Sequence, residues 1–264
     1  MTTQPDAASD ITVVKLGGST LGAHDTSLHD IASAHRDGRR IVVVHGGGAT
    51  ISAWLARMGI EAKFVRGLRV TDAASLEVVV AVLAGVVNTQ LVAELSAFGA
   101  PAIGLTGADA GLLQALRHDD ALGFVGKIER VNPAPIADLL GRGYLPVIAP
   151  IAIDTSGLAS SQLLNTNADT AAGEIAAALG ASCLVFLTDV DAVLDADKRP
   201  LTHLTPDEAA ALIASGAAAG GMIPKLEAAT RAATAGCATH IVNGTAAGAL
   251  SRVLAGEAGG TAVG

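Results

Sequence analysis

Aromatic side chains are almost missing from this 264-residue chain: one Trp, one Tyr and four Phe make up 2% of it. Its core must be built from Ala, Val, Leu and Ile, which suits helices packed closely on a parallel sheet. Cysteine is as scarce. Cys183 and Cys237 have no CxxC spacing and sit in apolar, strand-like surroundings, so they read as buried structural thiols of a reducing cytosol. Positive charge is short as well. A formal net charge of −8 with no basic run argues against nucleic acid or an anionic membrane as the main partner. The most apolar run, Val78 to Val87, is too short to span a bilayer and carries Gly85, and Met1 to Asp6 is polar with no signal pattern. A soluble cytoplasmic protein is expected. Several standard sites are missing too. There is no G-x-x-x-x-G-K-[ST] phosphate loop, no G-x-S-x-G elbow, no H-E-x-x-H zinc helix and no G-x-G-x-x-G fingerprint.

Half of the residues are hydrophobic, enough for one large α/β domain or two lobes sharing a sheet. Two glycine turns organise the chain. Each follows a β-branched run: Val13-Val14-Lys15-Leu16-Gly17-Gly18 and Ile41-Val42-Val43-Val44-His45-Gly46-Gly47-Gly48. Such runs read as buried parallel strands. Glycines at their carboxyl ends let bare N–H groups approach a ligand, and a helix starting there adds its unpaired donors. An anion site is expected at these strand ends, with Lys15 entering from the first strand and a phosphoryl group as the candidate ligand.

Residues 1–10 look disordered. The strand 11–16 leads to a helix near 26–37, whose His24, His29 and His35 are spaced by five and six and do not stack at i, i+4. They read as scattered imidazoles on a solvated helix rather than metal ligands. A helix over 51–58 precedes the basic, strand-like segment 63–72. Within it, Arg66 and Arg69 are either surface charges or bidentate partners for a substrate carboxylate. Thr71 or Asp72 caps a long helix from Ala73 to Phe98. A strand at 102–105, a hairpin around 123–131, a helix at 134–142 and a strand at 145–150 follow. Asn165-Thr166-Asn167-Ala168-Asp169 then caps an Ala-rich helix ending near Gly180. The remaining elements are a strand at 183–187, a helix at 206–215, the segment Gly220 to Lys225 with a helix after it that runs to Ala235, a strand at 239–242 and a helix at 246–254. The tail 259–263 can add an edge strand. Alternating strands and helices predict a mainly parallel sheet covered on both faces.

The glycine turns, the two lysines near glycines (Lys15 and Lys225) and the Asn/Asp cap together fit phosphoryl transfer, in which alignment and electrostatic stabilisation dominate. Lys15 and Lys225 can contact the phosphoryl from opposite sides while Asp169 orients both ammonium groups. Taken singly, a strand-end lysine is often a surface charge, and Asn165/Asp169 an ordinary helix cap. Their combination is the stronger signal.

The motifs Lys15-Leu16-Gly17-Gly18, His45-Gly46-Gly47-Gly48, Gly67-Leu68-Arg69-Val70-Thr71, Asn165-Thr166-Asn167-Ala168-Asp169, Leu187-Thr188-Asp189-Val190 and Gly220-Gly221-Met222-Ile223-Pro224-Lys225 resemble the amino acid kinase family. The resemblance spans about residues 11–263. It is greatest to members that use ATP to phosphorylate the side-chain carboxylate of N-acetyl-L-glutamate in arginine biosynthesis. It implies an open, mostly parallel αβα sandwich of two lobes sharing a central sheet. About 11–155 would bind the acceptor and about 156–264 ATP, within one domain over 11–264. By the same resemblance, Lys15 and Lys225 stabilise the transition state, Gly18 donates its N–H to the moving phosphoryl, and Asp169 organises the lysines. Gly47 and Gly48 lie against the substrate, Arg69 holds its α-carboxylate and Asn165 its acylamino part. ATP would lie along Asp189, Val190, Asp191, Ala192, Val193 and Leu194 and along Gly220, Gly221 and Met222. Magnesium would arrive on the nucleotide, with no dedicated protein metal site.

The resemblance also implies a homodimer. Arginine-inhibited members resemble hexamers joined by an additional amino-terminal helix, and the ten residues before the first strand are too few and too polar for one. Arginine insensitivity is therefore expected. Two positions depart from the family pattern. Ala192 replaces the usual glycine, and Asn243-Gly244-Thr245 replaces Asp-Gly-Arg. Two rival readings use the same framework: a kinase for an aminoadipate or glutamate carboxylate held on a carrier protein, which would need a basic mouth, and a ligand sensor that has lost turnover.

Overall fold

A strand buried on both faces must send alternate side chains into two separate cores, and the central strands here do so. Val13, Val42, Val44, Leu184 and Phe186 enter one core; Val14, Leu16, Ile41, Val43, Val185 and Leu187 enter the other. The computed structural model describes residues 10–17, 26–65, 67–157, 161–257 and 259–264. All but the last of the residues expected to be disordered, 1–10, and all of Gly18, His24 and Arg66, lie outside them.

In chain order the first half contains β1 (Ile11–Leu16), α1 (Ser27–Arg36), β2 (Arg40–His45), α2 (Gly48–Arg57), β3 (Phe64–Val65), β4 (Leu68–Arg69), α3 (Ala73–Val80), a π-helical stretch (Ala81–Val87), α4 (Asn88–Ala97), β5 (Ala102–Thr106), β6 (Leu113–Arg117), β7 (Gly126–Val131), α5 (Ala134–Gly141), β8 (Leu145–Ala149) and β9 (Ile151–Asp154). The second half adds β10 (Leu163–Asn165), α6 (Ala168–Leu179), β11 (Cys183–Thr188), β12 (Val193–Leu194), β13 (Pro200–Leu201), β14 (His203–Leu204), α7 (Pro206–Ala214), α8 (Met222–Thr234), β15 (Ala238–Asn243), α9 (Ala249–Leu254) and β16 (Thr261–Val263).

Eight strands form one continuous sheet in the order β14-β16-β15-β11-β1-β2-β8-β5. It is parallel except where β16 runs antiparallel to β15. The carboxyl-terminal strand does form, but not at the edge: β14 pairs outside it. A second sheet, β10-β9-β6-β7, carries the expected hairpin as β6 and β7.

Asp72, not Thr71, caps the long helix by accepting from the Ser75 amide. That helix is interrupted by the π turn at Ala81–Val87, a widening that the Val-rich sequence does not announce. Its 25 residues, Ala73–Ala97, are long and apolar enough to cross a membrane, although the run Val78 to Val87 within it is too short to do so. Here the helix is a core element, burying Val79, Val82, Leu83, Leu91 and Leu95 with Val43 and Val147 of the sheet. Helix α2 begins directly on Gly48, earlier than the sequence reading at Ile51, and α9 begins only at Ala249.

Candidate active site

Strand parity decides where Lys15 goes. It shares the face of Val13, on the side where α6 and α8 cover the sheet. Those helices approach closely because small residues meet between them: a Cβ added at Gly173 would sit 2.7 Å from the Ala228 carbonyl oxygen. One turn before Gly173 is Asp169, and one turn before Ala228 is Lys225, so the same close crossing joins the two side chains. Lys15 Nζ lies 2.7 Å and Lys225 Nζ 3.1 Å from a single oxygen, Asp169 Oδ1. The two ammonium groups, from the first strand and the eighth helix, therefore stand less than two hydrogen-bond lengths apart, with all three side chains buried.

Burial alone would push the Asp169 carboxyl up, but the charges of Lys15 and Lys225 outweigh it and hold it below the usual carboxylate range. Burial lowers the Lys225 ammonium and Lys15 adds repulsion, while Asp169 and Asp189 oppose them. The Lys225 ammonium also sits 5.2 Å from the centre of the Phe186 ring. Asn167 caps α6 by accepting from the amides of Asp169 and Thr170. The cap belongs to that residue, which leaves the Asp169 carboxylate free for the lysines.

A cleft of about 170 Å³ adjoins this cluster, lined by Gly46, Gly47, Gly48, Arg69, Asn165 and Ala168 among others. Arg69 is buried. One of its nitrogens donates to the Gly48 carbonyl and to Ser52 Oγ, each at 2.9 Å, and the guanidinium stacks 4.7 Å from the Phe64 ring. Its other terminal nitrogen, Nη1, is buried with no hydrogen-bond partner among the described residues. Burial lowers the guanidinium from its ordinary value, but not enough to discharge it at neutral pH. A guanidinium that lines a cleft and keeps one nitrogen unpaired is suited to an anionic oxygen entering there. Asn165 donates to Thr71 Oγ1 at 3.1 Å and faces the same cleft, although it lies beyond residue 155. The two glycines differ in kind. A Cβ at Gly47 would meet Leu83 at 2.8 Å, whereas one at Gly48 would meet no protein atom within 4 Å.

A larger space of about 570 Å³ shares Gly67, Leu68, Val125 and Asn167 with the cleft and extends to Gly220, Ile223 and Pro224. At its rim the turn of the β3–β4 hairpin touches the loop before α8, where a Cβ at Gly67 would sit 3.0 Å from the Gly220 carbonyl oxygen. Of the expected nucleotide segment, Asp189 follows β11 near Lys225. Val190 and Ala192 are half-buried, Val193 is buried and Leu194 exposed. Gly220 and Gly221 are exposed, and Met222 opens α8. Asn243, one of the departures from the family pattern, donates to Asp191 at 2.7 Å and so reaches this segment. Both cysteines are free, and burial pushes Cys183 up to about 11 and Cys237 to about 12. Among the described residues no three His, Cys, Asp or Glu side chains are grouped to hold a metal ion.

A profile of the amino acid kinase family matches residues 10–243. The chain belongs to the amino acid kinase family. Among curated amino acid kinases, the acetylglutamate kinase of Dehalococcoides mccartyi is 43% identical over 261 residues, 98% of this chain and 96% of that one. The acetylglutamate kinase of Solibacter usitatus is 45% identical over 253 residues, covering 94% and 97%. Among solved structures, smu.665 from Streptococcus mutans UA159 superposes with a TM-score of 0.81 at 27% identity, covering 96% of this chain and 98% of that one. Carbamate kinase from Giardia lamblia, at 18% identity and a TM-score of 0.67, shares the fold, covering 97% and 98%.

Within this amino acid kinase, the sequence reading gave no role to Asn88, Ser52, Phe64 or Leu83. Asn88 carried a signal: it is a polar residue on the helix face of Leu91 and Leu95, where a core side chain belongs. Ser52 and Phe64 had no such mark, since their link to Arg69 crosses three elements.

Proposed function

We propose that this kinase transfers the γ-phosphoryl group of ATP to the side-chain carboxylate of N-acetyl-L-glutamate, forming N-acetyl-L-glutamyl 5-phosphate and ADP in arginine biosynthesis. The observation that carries the reading is Arg69, which lines a small cleft beside the Lys15–Asp169–Lys225 cluster and keeps one buried guanidinium nitrogen unpartnered among the described residues. The nearly full-length likeness to acetylglutamate kinases supports it.

A carboxylate oxygen of the acid forms the new P–O bond, and the bond between the γ-phosphorus and its bridging oxygen breaks with the electron pair leaving on ADP. The acceptor is already an anion at neutral pH, so no side chain has to remove a proton from it. Asp169 accordingly serves as a tether, kept ionised by the lysines, and not as a base. Lys15 and Lys225 meet the charge spread over the equatorial oxygens and the leaving oxygen, where donors fixed in a dry site are most effective. Arg69 Nη1 takes the α-carboxylate and Asn165 the acylamino group, with the amides of Gly47 and Gly48 along the acid. Gly18 is assigned the remaining amide contact to the phosphoryl. ATP is assigned to the segments 189–194 and 220–222, and magnesium carried on its phosphates neutralises part of their charge. Residues about 11–155 supply most of the acid site and 156–264 the nucleotide site. The proposal includes a cytoplasmic homodimer.

The test is ATP-dependent phosphorylation of N-acetyl-L-glutamate measured against glutamate, aspartate and N-acetylaspartate. Preference for the first supports the reading, and equal turnover of all four or of none overturns it.

A further inference from the structure

We propose that His45 and Asn88 form a buried positioning pair that holds the Gly46-Gly47-Gly48 turn in the orientation the acyl acid needs. The inference rests on the reaction proposed above and adds two residues that stand outside its phosphoryl cluster.

Three successive glycines have more conformational freedom than any other tripeptide, so a turn that must present its amides to a ligand needs an external pin. His45, the last residue of β2, is fully buried. Alternation along the strand turns it to the face opposite Lys15, under α4. Its Nε2 is 3.0 Å from Asn88 Nδ2, and Asn88 Nδ2 is 2.9 Å from the Val147 carbonyl oxygen. The opposite amide orientation would set Asn88 Oδ1 against that carbonyl, acceptor against acceptor, so the nitrogen belongs there, with one hydrogen toward His45 and the other toward the Val147 carbonyl and, at 3.5 Å, that of Leu105. His45 Nε2 must then accept, which places the ring proton on Nδ1. Nδ1 lies 3.0 Å from the Gly46 carbonyl oxygen and donates to it. A trans peptide points its N–H opposite to its C=O. Drawing the Gly46 carbonyl toward the ring thus turns the Gly47 N–H away from it, and Gly47 lines the acid cleft.

The surroundings are shaped for this pair. Gly104 leaves room for the amide, since a Cβ there would lie 2.0 Å from Asn88 Oδ1. Burial, with a smaller push from Lys15, lowers the His45 imidazole to about 4 against the bond to Gly46, so the ring stays neutral. Asn88 begins α4 where the π turn ends, and that turn supplies Leu83, which packs on Gly47. One irregular helix therefore braces two consecutive glycines, consistent with π turns lying at functional sites.

Kinetics and nitrogen NMR test the pair. His45→Phe and Asn88→Leu should each lower kcat/KM for the acyl acid by about 10²-fold, the scale of a small misplacement in an aligned site. KM for ATP should change by less than about twofold, and the double variant should be no worse than the poorer single one. Losses that multiply in the double variant, or an equal rise in both KM values, overturn the proposal. If the variants do not fold, the wild-type enzyme decides with ¹⁵N-histidine labelling. A neutral Nδ1–H ring at His45 at neutral pH supports the pair, and an Nε2–H ring or an imidazolium overturns it. Absence of N-acetylglutamate turnover in the wild type would refute the proposed reaction and remove the acid-positioning role with it, whatever tautomer is found.

Discussion

Replacing Asp169 with Asn keeps the shape of the phosphoryl cluster and removes its only negative charge among the three side chains. Two unit charges about 4 Å apart attract by about 4 kcal/mol at an effective dielectric of 20. Both lysines stand closer than that to the carboxylate, at 2.7 and 3.1 Å. Part of the gross loss is recovered by the Asn oxygen, which still accepts a hydrogen bond, so the net should resemble the breaking of a buried pair, about 3–5 kcal/mol. For a chain of this size that lowers Tm by roughly 10 °C. Turnover should fall by about 10²–10³-fold, the effect of losing a preorganised electrostatic donor, because two repelling cations no longer share one anchor. The pH dependence gives two further readouts. The folded Asp169 carboxyl lies below its ordinary 3.8, so its contribution to stability is complete above pH 3.8 and is lost as pH falls through the lower folded value. The variant should lack that part of the acid sensitivity. The Lys225 ammonium, already below its ordinary 10.5, should lose its proton at still lower pH without the carboxylate, so the deficit in turnover should deepen as pH rises. Chemical denaturation, calorimetry and a pH–rate profile measure these effects. A variant within about 1 kcal/mol of the wild type, with unchanged kcat, would refute the reasoning, since surface ion pairs contribute no more than that.

Arg69→Ala should raise KM for the acyl acid by about 10–10²-fold, the value of one charge-assisted hydrogen bond, with little change in kcat; steady-state kinetics in both substrates check it. Lys225→Ala should lower kcat far more than it weakens ATP binding, because its contact strengthens in the transition state, and Lys15→Ala should behave alike; equal losses in both parameters would count against that role. Gly67→Ala meets both a positive φ of 80° and the Gly220 carbonyl oxygen at 3.0 Å. It should destabilise the hairpin by about 1–2 kcal/mol and raise KM for both substrates, readable by calorimetry and kinetics.

Much of the scaffold was legible because β1 and β2 are β-branched runs and α2, α3, α6, α7, α8 and α9 start on a capping side chain or a glycine. The parity of Val13 and Lys15 against Val14 and Leu16 was legible too, but which helices cover which face was not, since that depends on the crossing of α6 and α8 at Gly173. The tail strand was foreseen, yet its place inside β14 depends on a two-residue strand with no periodicity to read. Asp169 and Asn165 were recognised through their motif, whereas the division of labour with Asn167 follows from helix geometry. The coupling of His45 to Asn88 spans 43 residues. No local pattern contains it, and the π turn that places Asn88 looks in sequence like any Val-rich helix.

The central position of β1 has a consequence for how the protein is made. It is made before both of its partners and can pair with β2 almost at once, but its other edge waits for β11, whose neighbour Ser182 bonds back to Ile11 across 171 residues. Throughout that interval an apolar, fully paired-to-be strand presents open main-chain donors and acceptors to the cell, the kind of surface on which chains adhere to one another. Nascent copies crowded on one messenger would be most vulnerable then, and a polar substitution at Val185 of β11, on the face opposite Lys15, would prolong the exposure without touching the catalytic groups.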